Sequence, residues 1–347
     1  MDMTLPPRSR VMVLPGLDAA KHVRHRLHAE HAVWVEKNCY ADLWIELLHA
    51  LGLEPAACLA FALAADFEGD QWTFFKPSHA ELWELYGIDV QELTVWRPLL
   101  DHALEHLAAG KLLSTEADAY WLPDTAGTDY RQQHTKTTIL LNEIDIEARR
   151  LGYFHNAGYF ALEGDDFDGL FRLNGPRAAA ELPLFAETVR IDRVVRRSSA
   201  DLAARSRVSL ARHLPRRPAT NPITRFRQRL DRDLPQMMSL GLGHYHVWAF
   251  ANVRQLGAAF ELAAAHLEWL QSRGAAGSEL DVARGAFTQI AADSKTLILK
   301  AARSINARRP LDVAASLADA EAAWALGMQA LEQLLRHEQP EDDVVQP

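Results

Sequence analysis

Apolar residues at helical spacing single out one segment in the first half of the chain. Between Cys39 and Leu51, apolar side chains recur every three or four residues, and Gly52 follows them. That period places the apolar positions on one face of a helix, and glycine is a common helix stop. The pattern therefore predicts a helix that begins at Cys39 and buries one face.

Downstream of this helix, the pattern alternates between short helices and strands. A Gly-Asp pair at residues 69–70 separates two aromatic runs, which predicts a hairpin. His134 precedes a β-branched run at residues 135–141, and residues 151–160 have the pattern of a strand with a turn. These elements predict an α+β domain over residues 20–180.

Beyond residue 243 the pattern becomes helical. Three Ala- and Leu-rich segments with a 3.6-residue period follow one another, at residues 244–272, 280–307 and 311–337. Consecutive amphipathic helices with short connections are typical of an antiparallel bundle. A C-terminal α-helical bundle is therefore expected over residues 235–337, followed by a disordered acidic tail over residues 338–347.

Charge is spread unevenly along the chain, whose formal net charge is -9. Residues 190–232 hold 13 arginines, three aspartates and neither lysine nor glutamate, so this stretch carries +10 and the remainder -19. Residues 181–234 are therefore expected to form a basic connecting segment between the α+β domain and the bundle. A basic stretch on an acidic protein suits one acidic partner, whereas the acidic remainder disfavours nucleic acid.

Targeting signals, apolar runs and cysteine content further restrict the class of protein. No N-terminal stretch has the composition of a signal peptide, and no apolar run approaches the roughly 18 residues of a membrane span. The two cysteines, Cys39 and Cys58, do not make a disulfide framework, and Cys58 lies in an Ala-rich segment expected in the core. The sequence therefore predicts a cytoplasmic protein with no membrane partner.

Histidines recur at every third position from His22 to His31. On a helix, steps of three residues spread side chains around the surface, whereas tetrahedral zinc needs ligands that aim at one point. No cysteine or carboxylate pattern completes such a site. The segment is therefore expected to be solvated and weakly basic, and no metal site is predicted.

Cys39 is the candidate nucleophile because of its position, although a small buried residue is the alternative interpretation. A thiol at a helix start faces unpaired N–H groups and the positive end of the helix dipole, and both favour the thiolate. Cysteine catalysis also needs a base and a group that orients the base. His134 at the head of one strand and Asn156 at the end of the next follow Cys39 in the papain-type order.

Other residues compete for the supporting roles. Asp145 or Glu143 could orient His134, and His155 could be the base instead. Asp118 is either a strand residue that hydrogen-bonds the active loop or a plain edge residue. The pattern of residue types alone leaves these alternatives open.

Four motifs carry a resemblance to a known family: NCYADLW at residues 38–44, DFEGDQWTFFK at 66–76, LPDTAGTDY at 122–130 and GYFHNAGY at 152–159. With these motifs the chain resembles one bacterial family, domain of unknown function 1839, over nearly its whole length. More remotely, the cysteine helix, the strand at residues 118–123 and His134 are similar to the N-terminal domain of butirosin-type acyltransferases. That likeness implies a papain-like cysteine-enzyme domain.

One departure from the papain pattern affects the oxyanion hole. Papain-like proteases carry glutamine six residues before the cysteine, whereas this chain has Val33 there. The N–H of Cys39 would then act with another donor, for which Asn38 is the first candidate. The departure disfavours a peptidase.

The resemblance implies a cysteine acyltransferase that moves an acyl or aminoacyl group from a carrier-protein thioester to an amine or another small-molecule or peptide acceptor. No bound cofactor is expected, because phosphopantetheine would arrive on the carrier. The alternatives are a thioesterase or amidase that uses the same residues, or a non-catalytic carrier-binding module. The arginines expected to dock an acidic carrier are Arg216, Arg217, Arg225 and Arg227.

Overall fold

The computed structural model describes residues 10–173 and 184–338 and combines helices with antiparallel sheet, which confirms the α+β class. The strands are β1 Arg10–Met12, β2 Phe67–Glu68, β3 Gln71–Trp72, β4 Asp89–Glu92, β5 Leu112–Asp118, β6 Lys136–Asp145, β7 Arg150–His155, β8 Gly158–Glu163 and β9 Ala186–Arg190. The helices are α1 Cys39–Ala50, α2 His79–Tyr86, α3 Leu99–Ala108, α4 Asp165–Leu170, α5 Ser199–His213, α6 Pro222–Leu240, α7 Leu242–Ala251, α8 Val253–Ser272, α9 Ser278–Ala307 and α10 Val313–Glu338.

The described residues form two compact units. The first unit takes in residues 10–29, 38–53, 79–173 and 184–196, and the second unit takes in residues 30–37, 54–78 and 197–338. This division differs from the expected boundaries, because residues 54–78 and most of the basic stretch belong to the helical unit. The start of the expected connection, at residues 181–183, and the acidic tail after residue 338 lie outside the described residues.

The first unit is built around an antiparallel sheet in the order β4-β9-β5-β6-β7-β8. Strand β1 pairs with residues of β6 that extend beyond its ladder with β5. The strand predicted at residues 135–141 is part of β6, and the strand with a turn predicted at residues 151–160 corresponds to β7, its turn and the start of β8. The sheet centre is apolar and fully buried, which places β6 and β7 in the core of this unit.

Helices cover both faces of this sheet. Side chains alternate along a strand, so Leu141 and its partner Tyr153 face one way, and the neighbouring pair of Leu140 and Phe154 faces the other. Leu141 and Tyr153 pack in a core with residues of α3 and α4. Helix α1 lies against β6 and β7, where its apolar side chains are buried, as its sequence pattern predicts.

The second unit is mainly helical. Helix α8 packs on α9 and α9 on α10, in agreement with the helical periodicity beyond residue 243. The basic stretch contains α5 and most of α6, and α6 has an apolar face that becomes buried. On that face Phe226 packs its ring against Trp72 of the β2–β3 hairpin and against Trp248, at centroid distances of 5.9 and 5.8 Å.

Over residues 10–173 and 184–338, no helix combines the length and the apolar composition that a membrane crossing needs.

Candidate functional site

Cys39 is the first residue of α1. The side-chain oxygen of Asn38 accepts a hydrogen bond of 2.8 Å from the N–H of Ala41, so Asn38 is the N-cap. Cys39 is partly exposed, and its thiol makes no hydrogen bond with any described residue. The helix start therefore presents a partly accessible cysteine, while the Asn38 oxygen is committed to the cap.

His134 is paired with Asp118 at the end of the β5–β6 ladder. Nδ1 of His134 lies 2.6 Å from Oδ2 of Asp118, whose other oxygen accepts the N–H of Tyr120 at 3.1 Å. The Tyr120 ring stacks on the imidazole with the centroids 4.5 Å apart and 18° between the planes. Strand register explains the pair, because Asp118 faces Lys136 across the ladder, two residues from His134.

This pairing assigns the proton on the imidazole. An ionised carboxylate only accepts hydrogen bonds, so Nδ1 of neutral His134 carries the hydrogen and Nε2 is left as an acceptor. The His134 side chain is 70% exposed, which opens the ring to solvent. An imidazole that a carboxylate orients and that keeps one basic nitrogen is suited to proton transfer.

The structure does not join the three predicted triad residues. Among the described residues the Cys39 thiol has no hydrogen-bond partner, so it is not bonded to His134. Asn156 lies in the turn between β7 and β8 with φ of 44°, a left-handed conformation that asparagine tolerates better than most residues. The contact predicted for Asn156 is made by Asp118.

The two other candidates for orienting His134 lie elsewhere. Asp145 is nine residues beyond Lys136 on β6, about 30 Å at the rise of a strand, and accepts the N–H of Ala148 at 2.9 Å. Glu143 pairs with Arg10 at 2.6 Å. Neither carboxylate lies at the His134 end of the strand.

The side chains of His22, His25 and His28 are buried, so the prediction of a solvated segment was wrong for these three histidines, whereas His31 is exposed. His28 places Nδ1 2.5 Å from Glu46 and Nε2 3.0 Å from Asp42, and His22 lies 2.7 Å from Glu46. The segment does not form an α-helix, so His22 and His28 both reach carboxylates of α1. Burial favours a raised pKa for Glu46, but hydrogen bonds from His22 and His28 outweigh it and lower the pKa to about 2.

A signal for this cluster was present in the sequence. Asp42 and Glu46 are four residues apart, so they share one face of α1. Buried carboxylates need donors, and the repeated histidines supply them.

His155 belongs to a second buried network. Its Nδ1 lies 2.5 Å from Asp124 and its Nε2 lies 2.8 Å from the hydroxyl of Thr137. The Tyr153 hydroxyl donates to the other oxygen of Asp124 at 2.5 Å, and burial, then the Asp124 charge, raises the pKa of Tyr153. Both nitrogens of His155 are occupied and the residue is 1% exposed, so it lacks the access that a catalytic base needs.

A third polar group lies beside Cys39. The Tyr40 hydroxyl donates to Glu187 at 2.9 Å, and Nε2 of His79 lies 3.1 Å from the other oxygen of that carboxylate. Burial, then the Glu187 charge, raises the pKa of Tyr40. His79 and Glu187 come from α2 and β9, far apart in the chain, so sequence spacing carried no signal for this contact.

The arginines predicted to dock a partner are mostly engaged within the second unit. Arg217 pairs with Glu332, Arg225 with Asp66 and Arg227 with Glu321. Arg216 is exposed and has no ion-pair partner among the described residues.

No group of three or more histidine, cysteine, aspartate or glutamate side chains in the described parts of the chain is arranged to hold a metal ion.

The fold defines a two-unit α+β protein in which a sheet-packed helix begins with a cysteine. Residues 23–191 match the DUF1839 N-terminal domain, and residues 199–333 match the DUF1839 C-terminal domain. Because the two matches cover most of the chain, the protein belongs to the domain of unknown function 1839 family. A search of the curated proteins finds no match.

Proposed function

We propose that this protein is a cysteine acyltransferase that accepts an acyl or aminoacyl group from a carrier-protein phosphopantetheine thioester and passes it to an amine or another acceptor. The observation that carries the proposal is the His134–Asp118 pair, an exposed imidazole whose orientation a carboxylate fixes at 2.6 Å. A general base needs access to the proton that it moves, and this imidazole is 70% exposed.

The partly exposed Cys39 supplies the nucleophile. It opens a helix that packs on the sheet, with His134 just before one of the strands under that helix. This placement supports a papain-like arrangement, in which Asp118 takes the orienting role. Catalytic hydrogen bonds commonly tighten only in the substrate complex, so the reaction requires the thiol and Nε2 of His134 to meet there.

The reaction then has two steps. The Cys39 thiol gives its proton to Nε2 of His134, the thiolate attacks the thioester carbonyl, the carbon–sulfur bond to phosphopantetheine breaks, and the departing thiolate takes that proton from Nε2. In the second step the acceptor amine attacks the acyl-Cys39 thioester and gives a proton to Nε2 of His134, and the Cys39 thiolate leaves and takes that proton back as the thiol. Backbone N–H groups at the start of α1 stabilise the oxyanion in both steps.

The proposal is tested by supplying aminoacylated carrier protein and a panel of small amines, and by following the products with mass spectrometry. Formation of an amide that requires the protein supports acyl transfer. Release of the free acid alone means that water is the acceptor and the protein is a hydrolase. If the thioester stays intact while the carrier binds, the protein is a non-catalytic carrier-binding module and the proposal is wrong.

A further inference from the structure

The loop of residues 119–135 joins the two members of the His134–Asp118 pair. It leaves β5 directly after Asp118, carries His134 near its end and enters β6 at Lys136. Its ends are held together by a backbone hydrogen bond of 2.9 Å from Ala119 to Thr135. Any shift of this loop relative to the sheet therefore moves His134, Asp118 or both.

Asp124, in the middle of the loop, is anchored to β7. Its carboxylate accepts from the Tyr153 hydroxyl and from Nδ1 of His155, each at 2.5 Å. The Asp124 side chain is 4% exposed and that of His155 is 1% exposed. A carboxylate is costly to bury unless donors satisfy it, and here two donors on one strand fix its place.

The hydrogen bonds of this anchor are consistent with a single assignment of protons. Ionised Asp124 only accepts, so His155 donates from Nδ1. Nε2 of neutral His155 then accepts from the hydroxyl of Thr137 on β6, at 2.8 Å. The anchor thus ties the loop to two adjacent strands without leaving a ring nitrogen unpaired.

A second anchor joins the same loop to α4. Tyr130 donates to Asp166 at 2.9 Å, and Arg131 pairs with the same carboxylate. The Trp121 ring packs so closely on Gly169 that a Cβ there would lie 2.3 Å from the ring. Two anchors on different elements restrict rotation of the loop as well as translation.

We propose that Asp124 is a positioning residue that holds the loop of residues 119–135 so that Asp118 and His134 meet in the geometry needed for proton transfer. The inference rests on the proposed function of His134 as the base. An apolar side chain at position 124 would fill the same space but would not fix the loop along the strand, because hydrogen bonds are directional and apolar contacts are not. A displacement of about 1 Å at a catalytic group costs about 100-fold in rate.

The test compares Asp124→Asn with Asp168→Asn. Asp168 pairs with Arg149 on the same unit, and neither residue belongs to the loop, so this control removes a comparable carboxylate. When the histidine rings are isotope-labelled, the NMR signal of the His134 Nδ1–H reports its hydrogen bond to Asp118. Asp124→Asn should weaken and shift that signal and lower kcat at least tenfold with KM nearly unchanged, whereas Asp168→Asn should leave both readouts alone.

A second variant, Tyr153→Phe, keeps the proposal testable if Asp124→Asn does not fold. Tyr153→Phe removes one donor to Asp124 but keeps His155, and should give a smaller change in the same His134 signal. The positioning role is wrong if the His134 signal of Asp124→Asn is the same as that of Asp168→Asn. If Asp124→Asn does not fold, the same comparison is made with Tyr153→Phe. The NMR readout does not need activity, so loss of the proposed function and loss of the positioning role are distinguishable.

Discussion

At the scale of single residues, the two cysteines differ in their surroundings. Cys39 is partly exposed at the start of α1. Cys58 is 2% exposed, and its thiol lies 3.4 Å from the carbonyl oxygen of Pro55. Reaction of a thiol requires access of the reagent as well as thiolate character.

We therefore expect iodoacetamide to label Cys39 at least tenfold faster than Cys58 in the folded protein. The measurement is peptide mapping by mass spectrometry over a time course, with Cys39→Ser and Cys58→Ser as matched controls. Equal rates for the two cysteines, or faster labelling of Cys58, would remove the case for Cys39 as a nucleophile.

The role of Asp118 gives a second prediction at this scale. Asp118→Asn keeps the size of the side chain but weakens its hold on the Nδ1–H of His134, so the transfer rate should fall about 100-fold. Asp145→Asn, at the opposite end of β6, is the matched control and should keep the parent rate. Equal rates for the two variants in steady-state assays would show that Asp118 does not act through His134.

At the scale of elements, helix α1 carries both the candidate nucleophile and the two carboxylates of a buried ionic cluster. Asp42 and Glu46 lie one and two turns after Cys39 and hold His28 and His22. Both carboxylates are fully buried. Removing one partner from such a cluster costs about 3–5 kcal/mol, because the remaining charge is left buried.

The cluster predicts a dependence of stability on pH. The Glu46 pKa is about 2 in the folded chain and about 4.5 when unfolded, so the unfolded chain binds more protons between these values. The contribution of Glu46, about 3 kcal/mol, is therefore present above pH 4.5 and lost as the pH falls towards 2.

Urea unfolding between pH 7 and pH 3 measures this dependence. Glu46→Gln should be less stable at pH 7 and should lose less stability on acidification than the parent. Glu105→Gln, which changes an exposed carboxylate on α3, should follow the parent curve. If Glu46→Gln also follows the parent curve, Glu46 does not stabilise the fold through its charge.

Elements with strong local patterns could be predicted, and those defined by distant partners could not. The start of α1, the hairpin at residues 69–70 and strand β6 follow from local periodicity and turn residues. The short strands β4 and β9 escaped prediction because they are defined by their pairing with each other, about 100 residues apart. The candidate site divides in the same way: Cys39 and His134 were marked by local patterns, whereas the contact between His134 and Asp118 depends on strand register.

At the scale of the whole molecule, the uneven charge of the sequence is largely balanced within the second unit. Arginines of α6 alternate with buried apolar residues and pair with carboxylates of the same unit. The buried apolar face explains why this part of the basic stretch is helical, and the pairing neutralises its charge. It leaves Arg216 as the candidate from the predicted docking set without an ion pair among the described residues.

Carrier docking should therefore depend on Arg216 more than on its neighbours. We expect Arg216→Ser to slow transfer from a carrier-bound thioester while the reaction with a small free thioester is unchanged, and the carrier reaction should weaken with salt. Arg225→Ser and Arg227→Ser should instead lower the urea midpoint, because they break internal ion pairs. If Arg216→Ser slows both substrates alike, Arg216 does not dock the carrier.

The central claim is that Cys39 carries the acyl group. The most direct measurement is intact-protein mass spectrometry, followed by peptide mapping, after brief incubation with aminoacylated carrier protein and no acceptor. The predicted result is one aminoacyl adduct on Cys39 that accumulates in the parent and in Cys58→Ser, forms slowly in His134→Gln and is absent from Cys39→Ser. An adduct on another residue, or transfer that persists in Cys39→Ser, would contradict the account.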